Sequence, residues 1–533
     1  MVRYRPPKQS DASWTIPLLV AIAISAVLLF WHELYLKPTQ AYNDYDTHQD
    51  IAGQLERDEI LGLIEEKYFR KIAVDSLRML SYDSLFSLLD QYSEYITADE
   101  NRAFEAQMNG EFGGFGIELL PKPEGLGVTY VLEGSPAQKA GIAVGDLITG
   151  VGSYQPEDTS IEADSLLKAI DRYNGTPLPF RISRVGEEIQ TLNIQKSQTP
   201  NALISPAVSV NDSTLYIKIN RFGNQIYRLF MEQLEAKITP VDKAHLIIDL
   251  RGNPGGYLKE AINLLSQFVL QKERILLRTS TRKGKYTTYK PTGKPFYEFG
   301  EIAILIDDES ASSSEIIAGV LQDLDRAIVI GTPTFGKGSV QQQYPLRSGA
   351  AIKLTISKYY LPSGRNIEKI YTKEGEPTLP DTSIVYKTLK GRRVYGGYGI
   401  LPDISLYHDE DPFILPKVSQ YQLKSVCFDF IRSMQSNSPT QPLSTVLRNP
   451  EHPAYDILTQ EIVSSLGISD PSQGLLVGIK ELARYRVMHM LLSPSDWIQW
   501  KLQYDIPIMT AKAYLQSGQK AHQFQPQNKV FNH

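Results

Sequence analysis

Residues 310–341, SASSSEIIAGVLQDLDRAIVIGTPTFGKGSVQ, set four hydroxyls, Ser310, Ser312, Ser313 and Ser314, ahead of an amphipathic run, and then a lysine, Lys337, among glycines. A hydroxyl becomes an effective nucleophile when a neighbouring base takes its proton. A lysine can be that base when desolvation brings its pKa from ~10.4 toward ~7 to 8. Serines preceding IIAGVLQDL place one of them at a helix N-terminus, where free backbone N–H groups can hold an oxyanion. Lys337 follows Ser312 after a helix and the apolar strand AIVI, so the two can meet only through tertiary folding. Residue chemistry does not choose among the serines, and Ser312-x-x-Glu315 is also the pattern of a capping box. The predicted chemistry is serine/lysine hydrolysis, which calls for no metal and no cofactor.

Two other enzyme classes fit less well. Residues 331–337, GTPTFGK, nearly spell a phosphate-binding loop, but Gly338 offers no hydroxyl for magnesium and SVQQQYPL reads as a strand instead of a helix. The eight histidines form no HExxH pattern, which argues against a helix-borne metalloprotease. A net charge of −5 and a pI near 6.0 give no electrostatic case for nucleic acid as a partner. The single cysteine, Cys427, precludes an intrachain disulfide and a cysteine-rich zinc site.

The same stretch resembles the signature of the carboxy-terminal processing (tail-specific) proteases, in the matches Ser310-Ala311-Ser312, Ser314-Glu315-Ile316, Gln322-Asp323, Arg326-Ala327, Thr334-Phe335-Gly336-Lys337-Gly338 and Gln341. The resemblance implies Ser312 as nucleophile, Lys337 as general base and Gln341 as the residue that orients Lys337. Lys337, Ser339 and Gln341 would share one face of a strand at period two. Ser313 stands where the family more often has alanine, and its backbone N–H would serve the oxyanion. The turn RGNPGG resembles the family segment that lends a second N–H, from Gly255 or Gly256. Asp323 also matches, but eleven residues of continuous helix put it roughly 16 Å from Ser312. Its expected role is therefore structural, pairing with Arg326 at i+3.

The elements that must position these residues follow in chain order. Residues 14–31, WTIPLLVAIAISAVLLFW, carry no charge and follow Arg3, Arg5 and Lys8. They are expected to be an uncleaved membrane anchor with residues 1–13 in the cytoplasm and the rest in the periplasm. Residues 32–46 read as a tether and 47–109 as a helical region, in which LDQYSEYITADE resembles the family's segment before its binding module. Residues 110–198 read as a compact β module. GSPAQKAGIAVGDLI resembles the PDZ pattern, with Gly114, Phe115 and Gly116 presenting N–H groups to a peptide carboxylate and Ile117 on the strand beside which the peptide adds. Residues 199–404 alternate strands and helices and hold the candidate site. His245 there reads as a packed core histidine. Residues 405–533 read as a further helical domain, in which self-association is open. The expected class is thus α/β and α+β multidomain, and the expected partners are protein or peptide substrates with a free C-terminus.

Overall fold

The computed structural model describes residues 47–156, 162–172, 177–200, 203–237, 243–370, 383–406, 420–437 and 442–524. The apolar run at 14–31 lies outside them; among the described residues no helix is long and apolar enough to cross a membrane. The chain divides into two units, Met1–Gly62 and Leu63–His533. Of the first, residues 47–62 are helical, part of the α-helix Thr47–Lys67.

The larger unit is organised on a six-stranded sheet. Its order is Ile404–Ser405, Ala327–Gly331, Ile302–Ile306, His245–Asp249, Thr214–Lys218 and Val208–Asn211, parallel throughout except for the last pair. The runs AIVIG, IAILI and HLIID are almost wholly apolar because both faces of these strands are covered. Leu246, Ile248, Ile302 and Ile304 pack with Phe230, Leu264, Ile317 and Val320 from the helices Ile226–Glu235, Leu258–Leu265 and Ser313–Asp323. The alternate residues Ile247, Ala303, Leu305 and Ile330 pack with Ile508, Ala511 and Tyr514 of the helix Ile506–Ser517. The C-terminal region is therefore not a wholly separate domain: one of its helices supplies the cover that this second apolar face requires. Three adjacent parallel strands end on the same side, and the loops that leave them, 250–257, 307–312 and 332–338, carry the candidate site.

A second sheet borders those loops. Its central strand, Ala351–Tyr360, pairs with Ser339–Pro345 on one edge, and with Glu94–Ile96 and Leu277–Thr281 on the other. Leu277–Thr281 also forms a hairpin with Tyr286–Tyr289, and Lys283 and Lys285 at its tip are exposed.

Residues 117–194 contain a five-stranded antiparallel sheet, Ile117–Lys122, Gly125–Val131, Leu147–Val151, Leu178–Ser183 and Gln190–Ile194, with the helices Pro136–Lys139 and Ala163–Asp171. Phe115 is buried in its core against Phe180, the ring centroids 4.9 Å apart. Ile117–Lys122 is an edge strand, so its outer side is where a peptide strand could add. The helix Gln420–Asn437 lies against this sheet: a Cβ at Gly127 would fall 2.7 Å from the Phe428 ring, and Lys122 pairs with Asp429 at 2.7 Å.

Candidate active site

Of the four clustered serines, three are occupied in holding their loop. Ser310, Ser313 and Ser314 donate their hydroxyls to the carbonyls of Leu250, Gly256 and Asn253, each at 2.9 Å. Ser312 makes no such donation, and it sits at φ +53°, in the region that disfavours L side chains, at the turn into the helix Ser313–Asp323. Strain of this kind costs ~1–3 kcal/mol and is held in place by the surroundings. Here the restraint is Glu315, fully buried one turn into the helix. Its Oε2 accepts from the N–H groups of Ser312 (2.8 Å) and Lys337 (2.9 Å), and its Oε1 from Gly336 N–H (2.7 Å) and the Thr334 hydroxyl (2.6 Å). The capping-box glutamate thus also ties the Ser312 turn to the Lys337 loop. Burial pushes its carboxyl up to about 7 against these donors, which pull it down.

The turn at 250–257 docks against the same loop. Asn253, fully buried, donates to Ile219 O (2.8 Å), accepts Gly255 N–H at its Oδ1 (2.9 Å), and accepts Ala311 N–H at its carbonyl (3.0 Å). Gly255 lies at φ +96°, and a Cβ there would stand 2.7 to 2.9 Å from Ala311 O, Ser312 Cβ and Ser313 N. The Gly255 N–H is spent on Asn253, whereas those of Gly256 and Ser313 have no partner among the described residues. Arg251, at the start of the turn, bonds Asp249 (2.7 Å) and Asp505 (3.0 Å). Asp505 also caps the helix Ile506–Ser517, so the C-terminal region braces this turn.

Ser312, Ser313, Gly256, Lys337 and Gln341 line one cavity of about 290 Å³. A larger cleft of about 390 Å³, between the C-terminal helices and Asp307–Glu309, is lined by no serine or lysine. Lys337 is mostly buried, and its Nζ has no hydrogen-bond or ion-pair partner among the described residues; it lies over the Tyr92 ring, 4.8 Å from the centroid. Burial, and secondarily the Lys353 charge, bring its amine down to about 8, while Glu315, Glu94 and Asp90 oppose the shift. At pH 7.5 such an amine is neutral in roughly a quarter of molecules, against about one in a thousand for an ordinary lysine.

Profiles for Peptidase family S41 and for a PDZ domain match residues 213–384 and 127–171. A probable CtpA-like serine protease of Staphylococcus epidermidis is 30% identical over 368 residues, which cover 68% of this chain and 70% of the relative. The chain belongs to peptidase family S41. A carboxy-terminal-processing protease of Bartonella bacilliformis is 33% identical over 298 residues, 53% of this chain and 65% of that protein. Among solved structures the chain is similar to a photosystem II D1 C-terminal processing protease, 21% identical over 68% of this chain and 94% of that one, with a TM-score of 0.39.

Within this S41 chain, the expected Asp323–Arg326 pair and the expected period of two after Lys337 require correction. Asp323, at the far end of the helix from Ser312, pairs with buried Arg365 (2.8 Å) and accepts Ser363 N–H (2.9 Å); Arg326 bonds the carbonyls of Gly300 and Phe299 instead. Lys337 precedes the strand Ser339–Pro345, and a bulge between Val340 and Gln341 interrupts the expected period of two. The Gln341 amide donates to Ser339 Oγ (3.0 Å) and Thr355 Oγ1 (3.2 Å), and its carbonyl oxygen makes no hydrogen bond to Lys337 among the described residues. The strand after Lys337 also removes the phosphate-loop reading, which needs a helix there. His245 accepts Glu301 N–H at Nδ1 (2.8 Å), as a packed structural histidine. Gly116, at φ +76°, abuts Ser135 so closely that a Cβ would lie 2.2 Å from the serine Cβ. Phe115 and Gly116 give their carbonyls to Ala137 and Leu132 N–H. Phe115 thus serves the PDZ core, and Gly114 pairs with Ser197 in a short ribbon.

Proposed function

We propose that this chain is a membrane-anchored serine endopeptidase that recognises protein C-termini through its PDZ domain and cuts peptide bonds with a Ser312/Lys337 dyad, in C-terminal processing or envelope protein quality control. The observation that carries the reading is a mostly buried lysine that forms no ion pair among the described residues, sharing one cavity with the serine of the cluster whose hydroxyl is not donated to the backbone. Neutral Lys337 takes the Ser312 proton as Oγ attacks the peptide carbonyl. The N–H groups of Ser313 and Gly256 receive the oxyanion, the first with the helix N-terminus behind it. The Lys337 ammonium then protonates the leaving amine, and the acyl group stays on Ser312 until water, deprotonated by Lys337, releases it. Every proton in this cycle passes through one amine.

The edge strand Ile117–Lys122 supports strand addition by a peptide, and the names of the relatives support C-terminal processing. Arg3, Arg5 and Lys8 before the apolar run support a cytoplasmic N-terminus with the catalytic mass in the periplasm. Degradation of an unstructured polypeptide with a free apolar C-terminus tests the function. Wild type should cleave it, equally folded Ser312→Ala should not, and amidating the substrate's terminus should slow cleavage. Turnover by Ser312→Ala overturns the nucleophile, and equal cleavage of amidated substrate overturns C-terminal recognition. Reporter fusions at both ends test the topology, which an external N-terminus would overturn.

A further inference from the structure

Ser312 and Lys337 belong to the S41 core, but the ring over the lysine comes from the helical region before the PDZ domain. Asp90, Tyr92 and Ser93 form a compact turn: Asp90 Oδ1 accepts Tyr92 N–H (2.9 Å) and Oδ2 accepts the Ser93 hydroxyl (2.8 Å). Immediately afterwards Glu94–Ile96 pairs antiparallel with Ala351–Lys353, and Glu94 forms an ion pair with Lys353. The turn is thereby pinned to the sheet that borders the cavity. Two bonds join it there: Thr355 N–H to Ser93 Oγ (3.1 Å) and the Thr355 hydroxyl to Asp90 Oδ1 (2.9 Å).

This last bond determines how Gln341 is turned. With its proton committed to Asp90, the Thr355 oxygen can only accept, so it faces the Gln341 NH₂ group, whose other hydrogen goes to Ser339. The Gln341 carbonyl oxygen is left as the acceptor that an amine donor such as Lys337 can use. An aromatic face, for its part, attracts a cation. The Tyr92 ring consequently stabilises the charge that Lys337 gains as it takes a proton.

We propose that the Asp90–Ser93 turn is part of the catalytic apparatus, with Tyr92 supporting the developing ammonium of Lys337 and Asp90 fixing the Gln341 amide through Thr355. Both are positioning residues, and the inference rests on the Ser/Lys reading. The other charges facing Lys337, namely Lys353, Glu315, Glu94 and Asp90, are all kept when Tyr92 alone is substituted.

The test is the pH profile of peptide hydrolysis by the full chain. Tyr92→Leu excludes water but lacks the ring quadrupole, so two effects of opposite sign are expected together. The acid limb moves to lower pH by about 0.4 to 1.5 units, because the ammonium has lost support. The plateau rate falls by about 2- to 30-fold, because the transition state has lost the same support. Tyr92→Phe, which keeps the ring face and removes only the hydroxyl, should restore the limb position and most of the rate lost in Tyr92→Leu, an outcome that a role for the hydroxyl alone would not give. Thr355→Val, which cuts the link to Asp90 at nearly equal volume, should lower kcat with little change in KM. It remains informative should Tyr92→Leu fail to fold. Wild-type limb and plateau in folded Tyr92→Leu, or wild-type kcat in Thr355→Val, would overturn the proposal while Lys337→Arg stays inactive. Activity in Lys337→Arg would instead overturn the Ser/Lys reading beneath it.

Discussion

Replacing Glu315 by glutamine should separate activity from stability. The carboxylate accepts four donors at 2.6 to 2.9 Å, and a carboxamide has one oxygen to offer them. The least damaging orientation keeps that oxygen on the Ser312 and Lys337 N–H groups. The new NH₂ then faces Thr334, whose oxygen already accepts Ile400 N–H (2.6 Å) but has a second lone pair, and Gly336, whose N–H is orphaned. The Gly336 N–H and the Thr334 hydroxyl both lose their acceptor, which costs about 2–4 kcal/mol. Opposing this, a carboxyl raised from 4.5 to about 7 means that ionised Glu315 carries a burial cost of about 3 kcal/mol above pH 7, which a neutral amide avoids. The two terms nearly cancel, so global stability at pH 8 should change by no more than about 1–2 kcal/mol in denaturant titration. The Lys337 loop, however, loses its anchor at Gly336, and displacement of a reacting group by ~1 Å costs on the order of 100-fold. The kcat/KM of Glu315→Gln should therefore fall by roughly 10- to 100-fold. The acid limb should also move to lower pH, because Glu315 is a charge that favours protonated Lys337. Wild-type kcat/KM in this variant would refute the assignment of Glu315 as the tie between the two loops.

Two further substitutions divide chemistry from scaffold. Gly255→Ala puts a Cβ against three atoms of the Ser312 turn at φ +96°, so it should cost at least ~1–3 kcal/mol and sharply reduce kcat; unfolding curves with steady-state kinetics will check both, and unchanged kcat would contradict the docking of the two turns. Asp323→Asn leaves the Arg365 guanidinium buried without its counter-charge, so about 3–5 kcal/mol of stability should be lost while the acid-limb midpoint stays in place; a shifted midpoint would contradict a purely structural role for Asp323.

The site was legible where its chemistry is contiguous in sequence. SASSSE and TFGKG are each short, and the helix and strand between them follow from apolar periodicity, so the loops could be placed before their contact was seen. Contacts across the fold were not legible. Nothing local in RGNPGG reveals that Asn253 takes up the Gly255 N–H and leaves that of Gly256. Spacing alone pairs Asp323 with Arg326, because i+3 pairs are visible in sequence, whereas Arg365 reaches it from another part of the chain. Tyr92 gives no such signal, because a helical region with a short polar turn looks complete without a role in chemistry. The local hint is its position two residues before the strand Glu94–Ile96, whose pairing delivers it to Lys337. Likewise, the helix Ile506–Ser517 gives no sign in its own sequence that its apolar face belongs to a sheet built from residues 208–405.

The claim that Lys337 acts as a neutral base is tested most directly by the pH dependence of kcat/KM in wild type and Lys337→Arg. A base must be unprotonated, so activity should rise with pH through a single ionisation near 8, well below the ordinary lysine value of 10.5. Lys337→Arg should be inactive across the range, since a guanidinium does not give up its proton. An acid limb near the ordinary histidine value, or one that persists in an active Lys337→Arg enzyme, would contradict the account.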